Sequence, residues 1–236
     1  MTGTLYLIPT VLSSEASLNA VLPVENHDIV RQLRHFVVEN IRTARRFLKQ
    51  IDSTIDIDTL TFYELNQHTD PQQVASYLKP LAVGEDMGII SEAGCPAIAD
   101  PGADVVALAQ QKNYKIVPLV GPSSILLSLM ASGFNGQSFA FQGYLPIDKT
   151  ERAQRLHTLE NRVYSEHQTQ IFIETPYRNL QLIEELCRTL RPQTLLCIAA
   201  DITAPTQYIR TLSIAKWRTT PPPDIHKHPA IFLIYK

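Results

Sequence analysis

The chain has 236 residues, 44% hydrophobic and 19% charged, with a formal net charge of −2 and a pI near 6.4. That length and mixture suit a globular protein with one large core or two smaller ones, and they exclude a disordered chain. The small net charge excludes any global attraction to nucleic acid or membrane, so a polyanion would have to be met by a local basic patch.

The elements read in chain order as an alternation of strands and helices. Leu5 to Ile8 is a short apolar strand ending at Pro9, in place of the basic start of a secretory leader. The stretch 28–38 mixes helix and strand character, with Phe36-Val37-Val38 as the strand. Arg42 to Gln50 is helical and free of breakers, and Leu60 to Tyr63 is strand-like. Pro71 to Pro80 reads as a helix with Pro71 in its first turn. Met87 to Ser91 is a strand, Ala103 to Lys112 a helix and Ile116 to Val120 the next strand, a pattern that predicts a largely parallel sheet. Beyond Ser124, helices are expected over Ile125–Ser132, Thr150–Gln168 and Leu180–Leu190. Strands are expected at Phe139–Phe141, Gln170–Glu174, Leu195–Ala200, Tyr208–Ser213 and Ala230–Tyr235. Two α/β domains of similar length are expected, 1–118 and 119–236. Residues 116–147 carry no charge but are interrupted by prolines and glycines, so no transmembrane span is expected.

Three cysteines (Cys95, Cys187, Cys197) without CxxC spacing speak against a disulfide framework or a zinc site and for a reducing, cytoplasmic setting. His226 and His228 stand close together without a further ligand at familiar spacing, so no metal is expected.

Two loops carry the strongest chemical signal. Ser91-Glu92-Ala93-Gly94-Cys95-Pro96-Ala97-Ile98-Ala99-Asp100-Pro101-Gly102 and Gly121-Pro122-Ser123-Ser124 each follow an apolar strand with small residues, glycine and proline. Such loops at neighbouring strand ends let backbone approach a nucleotide-like ligand in the crevice of an open α/β sheet. Together with Ala131-Ser132-Gly133, these loops resemble the tetrapyrrole-methylase superfamily. Phe141-Gln142-Gly143-Tyr144-Leu145-Pro146, Phe172-Ile173-Glu174-Thr175-Pro176-Tyr177-Arg178 and Ala200-Asp201-Ile202-Thr203 sit nearest to its branch of bacterial 16S ribosomal RNA cytidine 2′-O-ribose methyltransferases.

The resemblance implies an α/β, two-domain tetrapyrrole-methylase-like fold, each domain an α/β sandwich, with the cofactor cleft between them, in a homodimer. The implied cofactor is S-adenosylmethionine, touching Pro9, Ala93, Gly94, Cys95, Ile98, Ser123, Ser124, Ile173, Ala200 and Ala230. The chain also departs from the branch. The stretch 9–15 lacks the expected glycine and asparagine, and Glu39-Asn40-Ile41-Arg42 replaces an acid and a hydroxyl with Asn40 and Ile41. Relatives in the branch carry a further C-terminal module, whereas this chain stops at Lys236.

A ribose hydroxyl is a weak nucleophile, so a positioned base is expected. Glu39, Glu64, Glu92 and Glu174 lie in matching motifs. Glu39 is the first choice, with Arg42 holding a phosphate or stabilising developing charge; the alternative is that Glu39 caps a helix or pairs with Arg42. Glu92 and Asp100 either orient the cofactor's ammonium group or satisfy backbone donors. The stretch 31–49 holds six of the 21 basic side chains, including Arg45 and Arg46, against one acid. It reads as a phosphate-binding patch or a solvated helix face, as does the second set Lys149, Arg152, Arg155 and Arg162. Glu64, Tyr144, Tyr177 and Arg178 are further substrate-contact candidates. The expected activity is methyl transfer to the ribose 2′-O of a cytidine in small-subunit ribosomal RNA. The alternatives are methylation of a tetrapyrrole or other small molecule, and a non-catalytic module that binds S-adenosylmethionine.

Overall fold

The computed structural model describes residues 2–66 and 69–236, and its contacts divide the chain into two compact units, Met1–Ser123 and Ser124–Lys236. The first contains β1 (Thr4–Ile8), α1 (Leu18–Val21), α2 (Val24–Gln32), β2 (His35–Val38), α3 (Ile41–Ile51), β3 (Thr61–Glu64), α4 (Pro71–Tyr77), α5 (Lys79–Ala82), β4 (Met87–Ile90), α6 (Gly102–Gln111) and β5 (Lys115–Pro118). Its five strands pair in the order β3-β2-β4-β1-β5, every pairing parallel.

A parallel sheet needs cover on both faces, and the sequence of β2 supplies it. Phe36 and Val38 face a cluster with Val30 of α2 and Phe47 and Leu48 of α3. Val37 points the other way, into a cluster with Leu78, Met87 and Val105. Helix α3 buries Ala44, Phe47, Leu48 and Ile51, a spacing of three and four residues that forms one apolar stripe. The opposite face leaves Arg42, Arg45, Arg46 and Lys49 exposed.

The second unit contains α7 (Ser124–Ser132), β6 (Phe139–Tyr144), α8 (Lys149–Glu166), β7 (Thr169–Ile173), α9 (Asn179–Thr189), β8 (Leu195–Ala200), β9 (Tyr208–Ser213), α10 (Ile214–Trp217) and β10 (Ala230–Tyr235). Its sheet runs β6-β7-β10-β8-β9, with β6 and β7 parallel and the other pairings antiparallel. Alternate residues of β10 (Ala230, Phe232, Ile234) join Leu156 and Leu159 of α8 and Leu182 and Leu186 of α9 in one core, where the Phe172 and Phe232 rings stack at 6.2 Å.

Three expectations need correction. The segment before β2 holds two helices, α1 and α2, where a mixed signal began only at Asp28. The helix expected over 71–80 stops at Tyr77, and Leu78 leaves helical geometry (φ −83°, ψ 6°) before α5 resumes at Lys79. Pro80 is the cause, because it has no N–H to donate and its ring crowds the preceding turn. The second basic set is not a continuous face. Arg152 is buried and pairs with buried Glu185 at 2.5 Å, and Arg155 donates to the Gln142 side chain at 2.6 Å.

Removing one member of a buried ion pair strands the other charge, at a cost of about 3–5 kcal/mol. Arg152→Leu is therefore expected to lower unfolding free energy by about that much, and Glu185→Leu in the same background to restore most of it. Equilibrium urea denaturation of the single and double variants measures both values.

Candidate active site

In the first unit, the loops leaving the C-terminal ends of β1, β4 and β5 are laced together. The Thr10 N–H donates to the Gly94 carbonyl at 2.9 Å, and the Ser91 hydroxyl donates to the same oxygen at 2.7 Å. The Cys95 thiol reaches the Pro122 carbonyl at 3.5 Å, and Asn26 Nδ2 donates to the Val120 carbonyl at 2.8 Å. Two glycines make this approach possible. A Cβ on Gly94, whose φ is +75°, would stand 3.0 Å from Leu12 Cδ2 and 3.3 Å from the Pro122 oxygen; one on Gly121 would overlap the Pro9 ring. Of the expected cofactor residues, Pro9 and Gly94 are buried, Cys95 and Ser123 are half-buried, and Ala93 and Ile98 are exposed.

Asp100 holds the loop's shape. Its Oδ1 accepts from the N–H groups of Ala97 and Gly102, both at 2.8 Å. Ala97 and Ala99 are left-handed (φ 64° and 60°), a conformation that costs about 1–2 kcal/mol for a residue with a Cβ. Of the two roles open to Asp100, the one seen is satisfying backbone donors.

Three carboxyls gather where β2 and β4 end. Glu39 follows β2, is half-buried and accepts the Glu92 backbone N–H. Burial raises its pKa from the ordinary 4.5, and the charges of Asp100 and Glu92 raise it further. Burial also raises Asp100, partly offset by its two N–H donors. Glu92 accepts from the Thr43 hydroxyl at 2.5 Å, which ties the β4 loop to the first turn of α3. The cap of α3 is Asn40, whose Oδ1 accepts from the Arg42 and Thr43 N–H groups at 2.9 and 3.3 Å. Asparagine caps as well as aspartate, so this departure from the branch keeps the helix start. Among the described residues Glu39 neither caps α3 nor forms an ion pair with Arg42.

Arg42 and Arg46 are exposed, and their side chains have no hydrogen-bond or ion-pair partner among the described residues. Arg45 lies 5.5 Å over the Phe62 ring. Glu64 ends β3, in register with Val38, and its side chain is exposed.

In the second unit, Ile173, Ala200 and Ala230 come together at one end of the sheet. Ala230 pairs with Ala200, and Ile231 pairs with Ile173. Tyr144 reaches the register of Ile173 through a bulge at 142–143, where Gly143 has φ +66°. Tyr144 and Tyr177 are exposed, the latter edge-on to His226 at 6.5 Å. Glu174 is buried and accepts Arg178 Nε and Nη2 at 3.0 and 2.6 Å. That pairing occupies both Glu174, a candidate base, and Arg178, a candidate clamp. Ser124 opens α7.

Sequence reasoning missed Thr10, Ser91 and Thr43 in the first unit, and in the second the pairing of His228 Nδ1 with Asp201 Oδ2 at 2.6 Å. The adjacency of Thr43 to the Glu39–Arg42 motif was the one available signal. Among the described residues, no group of three or more His, Cys, Asp and Glu side chains is arranged to hold a metal ion, and no helix is long and apolar enough to cross a membrane.

If Asp100 serves the loop's shape, its charge matters less than its acceptor oxygen. Asp100→Ala is expected to cost about 1–3 kcal/mol by leaving two N–H groups unsatisfied, whereas Asp100→Asn keeps most of the stability. Thermal denaturation of the two variants measures the difference.

No protein-family model matches the chain. It is 30% identical over 210 residues to the ribosomal RNA small subunit methyltransferase I of Buchnera aphidicola subsp. Schizaphis graminum, covering 88% of this chain and 68% of the relative. It is 28% identical over 212 residues to the protein of the same name from Vibrio cholerae serotype O1, covering 90% and 69%. Among solved structures it resembles the methyltransferase CobJ, with TM-score 0.63 and 15% identity over 100% of this chain and 94% of that one. It also resembles uroporphyrin-III-C-methyltransferase from Thermus thermophilus, with TM-score 0.55 and 15% identity over 100% and 93%. At that identity the solved structures speak for the fold alone.

Proposed function

Because the chain belongs to the ribosomal RNA small subunit methyltransferase I family, we propose that it methylates the ribose 2′-O of a cytidine in small-subunit ribosomal RNA, with Glu39 as general base. The methyl donor is S-adenosylmethionine, which supplies an electrophilic methyl group on a sulfonium when bound.

The first unit's residues fit this cofactor. Ala93, Gly94 and Cys95 offer backbone with little side chain in the way, and Ile98 offers an exposed apolar wall. The carboxyls of Glu92 and Asp100 give a negative field suited to a molecule with sulfonium and ammonium charges. Pro9, Ser123 and Ser124, and Ile173, Ala200 and Ala230 of the second unit, are assigned to the cofactor in the same reading.

One observation carries the catalytic assignment. Glu39 is half-buried at a parallel-strand end, with its pKa lifted by burial and by two neighbouring acids. A lifted pKa brings a carboxylate nearer the pH at which it must accept a proton, so Glu39 is the better base for a ribose hydroxyl. Glu92 and Glu174 are each held by a strong donor, Thr43 and Arg178. Arg42, beside the base, holds a flanking phosphate, and Arg45 and Arg46 continue that contact along α3. Glu64, Tyr144 and Tyr177 are secondary substrate contacts, and Arg178 adds to them through Nη1, which Glu174 does not hold. The protein acts in the cytoplasm as a homodimer, and exposed Leu126 and Met130, one turn apart on α7, support a second copy as partner.

Purified protein with labelled S-adenosylmethionine is expected to label small ribosomal subunits and to leave porphyrinoid precursors unlabelled; the reverse pattern would sink the RNA reading. Glu39→Gln is expected to lower turnover about 10²–10⁴-fold while cofactor affinity by calorimetry stays unchanged.

The sign of the pH effect follows from the raised pKa. The working carboxylate is lost as pH falls through its raised pKa, so the acid limb of kcat/KM is expected at higher pH than an unperturbed glutamate would give. Glu92→Gln removes one like charge and is expected to move that limb to lower pH. The folded state is penalised in the opposite direction, since the stability allowed by protonated Glu39 is complete at low pH and is lost as pH rises through its raised pKa. Glu39→Gln is therefore expected to raise Tm at neutral pH, with the gain vanishing below the ordinary glutamate pKa of 4.5. For the dimer, Met130→Glu is expected to halve the mass seen by light scattering; a mass that starts as a monomer's refutes the assignment.

A further inference from the structure

A cavity of about 500 Å³ opens in the first unit, outside the acid cluster and the glycine loops. Its polar lining comes from Ser14, Ser17 and Asn19 in the β1–α2 connection, His27 and Arg31 of α2, and Gln50 of α3. That volume falls within the range of small-ligand sites. His27 is 93% buried (relative exposure 7%), and its Nε2 has no hydrogen-bond partner among the described residues. An unpaired buried nitrogen costs about 1–3 kcal/mol, and the ring that carries it lines the cavity.

The lining also narrows the chemistry of that occupant. It offers hydroxyls, amides and an imidazole, which donate and accept. Its one cation, Arg31, is already held by Asp28 and Asp52 at 2.6 and 2.7 Å. The cavity also abuts the C-terminal end of α3 at Ile51, whose carbonyl dipoles disfavour an anion. A neutral, flat group rich in donors and acceptors suits these surroundings, and a nucleobase is such a group. Arg42, Arg46 and Gln50 stand four residues apart on one ridge of α3. The unpaired basic side chains thus lead from the Glu39 end of the helix to the cavity, a distance of roughly 16 Å for an 11-residue helix.

We propose that this cavity is a second RNA subsite, taking the base of one unpaired nucleotide from an RNA whose phosphates follow Arg42 and Arg46. The proposal rests on RNA being the methyl acceptor. Single-stranded RNA is commonly recognised through splayed bases, and a pocket beside a basic ridge supplies that recognition away from the reacting ribose.

Two measurements on the full chain test it. Ser17 is exposed and its side chain makes no capping bond to α1, so Ser17→Trp can close the mouth without removing a contact. The variant is expected to raise KM for small ribosomal subunits at least tenfold, with kcat and S-adenosylmethionine affinity unchanged. Independently, the His27 ring resonances of the unaltered protein are expected to shift with at least one of the four nucleoside 5′-monophosphates and to stay still with ribose 5-phosphate. Equal shifts with ribose 5-phosphate, or none with any nucleotide, overturn the base subsite. If the unaltered protein labels RNA and Ser17→Trp does so with unchanged KM, this proposal falls and the acceptor reading stands. If the unaltered protein labels no RNA, both fall.

Discussion

The Gly94 carbonyl holds the first unit's crevice together. It accepts from both Thr10 and Ser91, and so joins the exits of β1 and β4 through one oxygen. The join requires close backbone approach, and the residues that permit it are Gly94, with its positive φ, and Gly121, packed against Pro9. Parallel strands all deliver their C-terminal ends to one edge, so this lacing sets where the β2 and β4 acids sit. Asp100 completes the arrangement by accepting from Gly102 and from Ala97, one of the loop's two left-handed alanines.

The acids gathered there do different work because their surroundings differ. Asp100 spends its oxygen on backbone, and Glu92 spends its own on Thr43. Glu39 keeps one backbone donor and is lifted by burial and by both neighbours. The same few residues that start α3 therefore position a raised carboxyl and a row of arginines side by side. Opposite fields on adjacent surfaces suit a cationic methyl donor and an anionic acceptor.

Much of this was legible in the residues. Helices α3 and α6 and strands β8, β9 and β10 follow from apolar spacing, and the two glycine loops announce a ligand crevice. Helix α1 was not legible, because four residues carry little periodicity, and the break at Leu78 was hidden by a proline that equally suits a first turn. The cofactor loops stood out through glycine and proline, which act on the local backbone. Thr10 and Thr43 left little trace, since a single hydroxyl acquires its role from partners 81 or 49 residues away. Likewise Arg152 and Arg155 read as surface charges until Glu185 and Gln142 were brought beside them.

The sequence by itself determined the strand–helix alternation, the stripe that α3 buries and the basic face it leaves out, and the motifs that point to methyl transfer. These are properties of spacing and of residues whose backbone preferences act within a few positions. Tertiary structure decided which acids have their pKa lifted and, among the described residues, which arginines remain unpaired and where His27 Nε2 is left without a partner. Burial and charge–charge distance set those outcomes, and both depend on residues far apart in the chain.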